Sequence, residues 1–188
     1  MQVLKCNIFN ECKSGDALCI TTNAVVNKEG KLIMGAGIAK DFRDNFKDVD
    51  KVLGNYVTKY GNRVFRVGEV EVKVGSEPGK TVTIFSFPTK SNWRDKSDLK
   101  LIEQSCIQLK QVVEKFKIEG DIYVPAPGCS NGGLDWTQEV KPVVERHLVE
   151  DRYKICFKDD SVKVNKYNIE TENKSGIEQL NLLTTVNE

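Results

Sequence analysis

The sequence predicts an α/β fold, a three-layer α/β/α sandwich on a mixed, largely parallel central sheet. Three observations carry this. Apolar, β-branched stretches alternate along the chain with segments of helical period, as strands joined by crossover helices do. Two strand-like runs, 64–74 and 81–87, face each other across the turn Ser76-Glu77-Pro78-Gly79-Lys80, which makes the sheet mixed. Two glycine-rich segments, Met34-Gly35-Ala36-Gly37-Ile38-Ala39-Lys40 and Gly128-Cys129-Ser130-Asn131-Gly132-Gly133-Leu134-Asp135, each follow a strand-like run and precede a helical one. Glycine is costly in regular structure, so such loops mark backbone that approaches a ligand closely, here an anionic, phosphate-bearing one.

Taken in order, residues 3–9 read as a first strand, and 17–26 as a strand buried on both faces. Residues 37–46 read as a helix, with Ile38, Phe42 and Phe46 on one face, and 50–60 as another that Gly61 closes. Pro88 ends the strand 81–87. Ser97 is the expected N-cap of a helix whose stripe is Leu99, Ile102, Cys106, Leu109, Val113 and Phe116, and Gly120 is its expected stop. Residues 121–125 form a short strand into the second glycine segment. Residues 137–150 form a helix with Thr137 as candidate cap, and 153–157 the last strand. Residues 1–157 make one domain with a sizeable core. Residues 158–188 are a polar, partly ordered appendage in which Ile177, Leu180, Leu182 and Leu183 can dock a short tail element.

The chain of 188 residues has 28 Lys+Arg against 27 Asp+Glu, a net charge of +1, so no global basic field drives nucleic-acid binding. A phosphate-binding loop needs none, because backbone N–H groups supply the positive potential. Six cysteines (Cys6, Cys12, Cys19, Cys106, Cys129, Cys156) lie apart without a C-x-x-C pair, and His147 is the one histidine. That composition argues for reduced thiols in a cytoplasmic protein and against a metal site or a cofactor. Residues 1–5 have too little apolar length for a signal peptide, and no run approaches membrane length. No heptad or broad apolar stripe asks for a partner copy, so a monomer is expected.

Single motifs are weak. Gly35-x-Gly37 lacks the third glycine of a dinucleotide fingerprint, because Lys40 stands there. Gly75-Ser76-Glu77-Pro78-Gly79-Lys80-Thr81 is one residue short of a P-loop and precedes a strand, so it reads as a hairpin turn. Lys90 lies just past a strand end between Phe87 and Trp93. Most lysines are solvated, but desolvation at such a rim favours a neutral, nucleophilic amine. Asp135 either caps the following helix or aims a carboxylate at a ligand, with the cap favoured by local chemistry. Asn23 and Asn27, at the end of the second strand, bond their own turn or hold a ligand hydroxyl. His147 reads as structural or surface, and Cys129, without a histidine partner, as a small hydrophobe.

Together these pieces resemble a macrodomain, the ADP-ribose-binding α/β/α fold, over residues 3–157. Three segments carry the resemblance: Thr22-Asn23-Ala24-Val25-Val26-Asn27 leading to Met34-Gly35-Ala36-Gly37-Ile38-Ala39; Phe87-Pro88-Thr89-Lys90 with Trp93-Arg94 and Ser97-x-Leu99; and Pro127-Gly128-Cys129-x-x-Gly132-Gly133-Leu134-x-Trp136. Within the superfamily they are similar to the branch of terminal ADP-ribose protein glycohydrolase and of the antitoxin macrodomains that reverse DNA ADP-ribosylation. The resemblance implies that Met34, Gly35, Ala36, Gly37 and Ile38, with Pro127, Gly128, Cys129, Ser130, Asn131, Gly132, Gly133 and Leu134, wrap the diphosphate and distal ribose. It implies that Asn27 lies near the distal ribose and that Asn7 meets the adenine, with Asn23 and Ile8 as further ligand-binding candidates. Asn7 stands where macrodomains often carry an aspartate, and residues 27–34 are longer than usual before the glycines. By the same resemblance, Lys90 attacks the anomeric carbon or stabilises charge, and Asp135 is acid/base.

The function this implies is an ADP-ribosyl hydrolase acting on ADP-ribose carried by a macromolecule or nucleotide. An ADP-ribose 1″-phosphate phosphatase and a non-catalytic ADP-ribose-binding module are the alternatives. The phosphatase is disfavoured by the lack of a histidine in Thr21-Thr22-Asn23. A nucleic-acid substrate would be held by a local surface of Lys28, Lys31, Arg94 and Lys96.

Overall fold

The computed structural model describes residues 1–159. The expectations for Ile177, Leu180, Leu182 and Leu183 lie outside the described residues. Six strands form one sheet: β1 (Gln2–Cys6), β2 (Ala17–Thr22), β3 (Arg66–Val72), β4 (Lys80–Pro88), β5 (Ile122–Pro125) and β6 (Tyr153–Lys158), in the order β1-β6-β5-β2-β4-β3. Every neighbouring pair is parallel except β3 and β4, the hairpin whose register slips between Arg66 and Gly68. The sheet is thus mixed and largely parallel, with the antiparallel strand at an edge.

Alternate residues of β2 explain the layers. Leu18 and Ile20 enter one apolar core with Ile8, Phe9, Phe42, Phe46 and Leu53, while Ala17 and Cys19 enter the other with Ile102, Cys106, Leu109, Val140 and Val144. The first core lies under helices α1 (Ile8–Glu11), α2 (Gly37–Asn45) and α3 (Val49–Tyr60). The second lies under α4 (Leu99–Lys115) and α5 (Lys141–His147). A strand covered on both faces must be apolar at every position, which is why β2 reads as a continuous run.

Several boundaries differ from the sequence expectation. The expected strand 3–9 ends at Cys6, because Asn7 caps α1 by accepting from Phe9 N at 3.0 Å; Ile8 and Phe9 are buried as helix residues. β2 ends at Thr22 rather than 26, where Asn23 turns the chain. Asp98, not Ser97, caps α4, accepting from Lys100 N at 2.8 Å. That helix stops before Gly120, with Lys117 taking the left-handed conformation (φ 51°). Asp135, not Thr137, caps the segment after the second glycine loop. That segment begins as a π-helical turn, Trp136–Val140, before α5.

One contact places the first glycine loop. Leu32 N donates to Asp50 O at 2.8 Å, which seats the hairpin 26–32 on α3. Gly54, in the interior of α3, permits this, because a Cβ there would collide with the carbonyl of Gly30 and stand 2.9 Å from Leu32 N. A glycine within a helix otherwise costs about 1 kcal/mol relative to alanine. Gly54→Ala, though it raises helix propensity, should destabilise the fold by about 2 kcal/mol through overpacking against backbone. Urea unfolding measures this; an unchanged or raised midpoint would contradict the packing described.

Candidate functional site

A cleft of about 480 Å³ runs across the C-terminal ends of the five parallel strands, where open α/β sheets bind ligands. Each strand end contributes: Cys6 from β1, Thr22 from β2, Thr89 just after β4, Pro125 from β5 and Phe157 from β6. The two glycine loops form its walls.

The first wall is Met34, Gly35, Ala36, Gly37 and Ile38, all lining the cleft. α2 begins here with Ala36 as a cap residue that offers no side-chain acceptor, and its first turn holds no acidic residue. Its leading N–H groups and the positive end of its dipole suit an anion. Gly37 adopts φ 57°, and a Cβ on it would stand 3.1 Å from Asn131 Nδ2, so the two loops come close at this point.

The second wall is Gly128, Cys129, Ser130, Asn131 and Gly132. Leu134 N donates to Gly128 O at 2.9 Å and Ser97 N donates to Gly132 O at 2.9 Å, closing the loop and tying it to the chain ahead of α4. A Cβ on Gly128 would meet Leu134, Ser97 and Ile102, and Gly128 takes φ 74°. This loop therefore needs glycine for both conformation and space. Pro127, Gly133 and Leu134, expected at the ligand, do not line the cleft. Leu134 is buried in the core beneath the loop and anchors it instead.

Lys90 is 8% exposed and lines the cleft where the walls meet. Its Nζ donates to Asp95 O at 2.8 Å and Asn131 O at 3.0 Å, so one side chain joins the loop after β4 to the second glycine loop. Asn23 also lines the cleft, but its amide is taken by backbone: Nδ2 donates to Ile33 O at 2.8 Å and Oδ1 accepts from Val25 N at 2.9 Å. Asn7 and Ile8 line the opposite end, with the Asn7 carbonyl used as the α1 cap.

Two further residues stand elsewhere than expected. Asn27 is exposed and off the cleft; its Oδ1 accepts from Glu29 N and Lys31 N, each at 2.9 Å, and so shapes its own turn. Asp135 is exposed and off the cleft lining, its Oδ1 accepting from Gln138 N at 2.6 Å. His147 pairs with Glu103 at 3.0 Å between α4 and α5, as a structural residue does.

Asp41, Thr21, Thr22, Ser97, Phe157 and Lys158 line the cleft without having been singled out. The rule that ligands sit beyond strand ends would have found Thr22 and Phe157. Asp41 sits on α2, one turn beyond Gly37, and burial pushes its carboxyl above the usual range against the opposing effect of Lys158 and Lys40. Among the described residues no cluster of His, Cys, Asp and Glu is arranged to hold a metal.

Burial pushes the Cys129 thiol up to about 11, with Asp135 and Glu139 adding to the rise. The thiolate is the reactive form, so Cys129 is unsuited to nucleophilic work near neutrality. Alkylation of Cys129 by iodoacetamide, followed by mass spectrometry, should be slow at pH 7.5 and rise about tenfold per pH unit as the thiol deprotonates. A rate that levels off below pH 9 would contradict this environment.

No protein-family model matches the chain. The DNA ADP-ribosyl glycohydrolase of Mycobacterium tuberculosis is 34% identical over 137 residues, 72% of this chain and 36% of that protein. That of Thermus aquaticus is 29% identical over 135 residues, 71% of this chain and 36% of that protein. The chain thus spans about a third of the length of the curated relatives it matches. Among solved structures, the macrodomain of Mycobacterium tuberculosis DarG is 28% identical with a TM-score of 0.59, over 84% of this chain and 97% of that one. Thermosipho africanus DarTG in complex with ADP-ribose shares the fold with a TM-score of 0.65 at 22% identity, over 87% of this chain and 42% of that one. With the sheet order, the two glycine loops and the cleft between them, these likenesses show that the chain belongs to the macrodomain family and resembles its DNA ADP-ribosyl glycohydrolase members.

Proposed function

We propose that this protein is an ADP-ribosyl hydrolase, releasing ADP-ribose from a modified macromolecule. The observation that carries the proposal is Lys90: a buried amine placed where two glycine loops meet over a cleft. The relatives named DNA ADP-ribosyl glycohydrolase support it, with ADP-ribosylated DNA the substrate they suggest. In the reaction, the bond from the anomeric carbon of the distal ribose to the carrier breaks. Its electron pair and a proton go to the carrier, and water supplies the new oxygen on carbon.

The nucleophilic role of Lys90 rests on the resemblance and on its place at the cleft lining, where Nζ is held by donating to the carbonyls of Asp95 and Asn131. Attack would form a carbon–nitrogen bond to the anomeric carbon, and water would then displace the amine to give ADP-ribose. If the side chain is charged throughout, its third N–H is the group available to steady a departing anion.

The acid/base role of Asp135 rests on the resemblance, with its second carboxylate oxygen, Oδ2, not used by the cap. We further propose a cytoplasmic monomer that works without metal or cofactor. All six cysteines are free, and among the described residues no helix is long and apolar enough to cross a membrane.

Lys90→Ala and Lys90→Gln should each lower kcat/KM on ADP-ribosylated substrates by at least about 10²-fold. Calorimetry with free ADP-ribose on Lys90→Gln reports whether the pocket survives. Full activity in both variants would sink the mechanism, and tight binding by a wild type that turns over nothing would favour the binding module. Phosphate release from ADP-ribose 1″-phosphate, faster than ADP-ribose release from a modified thymidine, would favour the phosphatase. Asp135→Asn keeps the helix cap, since Asn caps as well as Asp, but removes the proton-transfer group. A fall in kcat of at least about tenfold with an unchanged melting temperature is what the acid/base role requires.

A further inference from the structure

Lys90 is held at both of its ends. Its amine donates to Asp95 O and Asn131 O, and its own carbonyl accepts from Asn62 Nδ2 at 3.1 Å. The carbonyls of residues 88–91 are each occupied: Pro88 O by Ser105 Oγ at 2.8 Å, Thr89 O by Asp98 N at 2.9 Å, Lys90 O by Asn62, and Ser91 O by Ala24 N at 3.0 Å. Two of these donors are backbone, and Ser105 acts on the last residue of β4. Asn62 is the side chain that bonds the backbone of Lys90 itself.

Asn62 also stands on fixed backbone. Gly61 closes α3, Val64 N donates to Gln108 Oε1 at 2.9 Å, Phe65 N to Ser86 Oγ at 2.7 Å, and Ser86 Oγ to Arg63 O at 3.1 Å. The side chain is half-buried, and its Oδ1 is a buried acceptor with no hydrogen-bond partner among the described residues. An unpaired buried acceptor is costly, and an apolar side chain would avoid that cost. Donating to Lys90 O is what an amide does here that an apolar side chain cannot. Turning the amide over would set Oδ1 against that carbonyl, so Lys90 O fixes which way the amide points. Asn62 is not on the cleft lining, so it is no ligand contact there.

We propose that Asn62 is a positioning residue for the hydrolysis: by holding the Lys90 carbonyl from the end of α3, it fixes the backbone from which the Lys90 side chain departs, and so the place of Nζ at the cleft. The inference rests on the hydrolase reading of Lys90. Released from Asn62, the peptide unit after Lys90 can turn, and the amine tethered to Asp95 and Asn131 shifts with it. A small displacement of a reacting group slows the chemical step, while ligand groups bound elsewhere in the cleft keep their contacts.

The test measures kcat and KM on an oligonucleotide carrying one ADP-ribosylated thymidine, the Kd for free ADP-ribose by calorimetry, and the melting temperature. Wild type is compared with Asn62→Ala and with Asn62→Asp, which keeps the shape and loses the donor. Both variants should lower kcat by at least about fivefold, with KM and Kd within about twofold of wild type. The melting temperature should fall by no more than about 4 °C, as for the loss of one hydrogen bond. Asn62→Ala introduced into Lys90→Gln should cost less than about twofold more, because a residue that acts through Lys90 has nothing left to position. A kcat unchanged within about twofold in either single variant overturns the proposal. So does a fall in kcat matched by equally weakened ADP-ribose binding, since the whole cleft would then have moved, and so does an undiminished loss in the Lys90→Gln background. A wild type that does not turn over the oligonucleotide fails the hydrolase reading itself and removes this inference with it.

Discussion

The site depends on one buried amine shared between two carbonyls. Lys90 Nζ joins Asp95 O and Asn131 O, and so ties the loop after β4 to the second glycine loop. Ser97 N to Gly132 O repeats the tie a few residues on. Between them these bonds set the distance from the second wall of the cleft to the strand ends, and they hold the exposed indole of Trp93 at its mouth. An amine this enclosed needs partners, because an unpaired buried charge or donor is costly. Lys90 is thus both a structural joint and the group with chemistry to offer.

The electrostatics of the cleft are made by backbone more than by side chains. The chain carries a net charge of +1, and the first glycine wall, residues 34–38, has no basic side chain. What it has is a helix start without a side-chain cap, and a glycine at φ 57° that lets the neighbouring loop approach. Fixed N–H dipoles bind a diphosphate without the conformational entropy that lysine or arginine side chains lose on ordering. Two acidic residues, Asp41 and Asp159, are on the lining, and Asp41 sits one turn into α2, where burial disfavours its charge.

Much of the fold was legible because its signals are local and redundant. β2 and β4 are apolar on both faces, α4 carries a clear stripe, and the hairpin of β3 and β4 is marked by a turn rich in Gly and Pro. The errors fall where one polar side chain decides a boundary. Asn7 converts the end of an apparent strand into a helix start, and Asp98 takes the cap expected of its neighbour Ser97. For the site, the glycine segments and Lys90 stood out because glycine and a lysine at a strand end are unusual there. The places of Asn27 and Asp135 were not legible. An asparagine that shapes its turn and one that meets a ligand have the same local sequence, and a carboxylate that caps a helix looks like one that moves protons. Asp41 reaches the cleft only through the packing of α2, which no short motif encodes.

The central claim is that the cleft between the two glycine loops receives ADP-ribose, with the loop amides on its diphosphate and distal ribose. Titrating ADP-ribose into ¹⁵N-labelled protein and following amide shifts by NMR tests it directly. The account predicts saturable shifts that are largest at the amides of residues 35–38 and 128–132, with smaller ones at Asn7 and Ile8. Absence of shifts at saturating ligand, or shifts centred outside these loops, would contradict it.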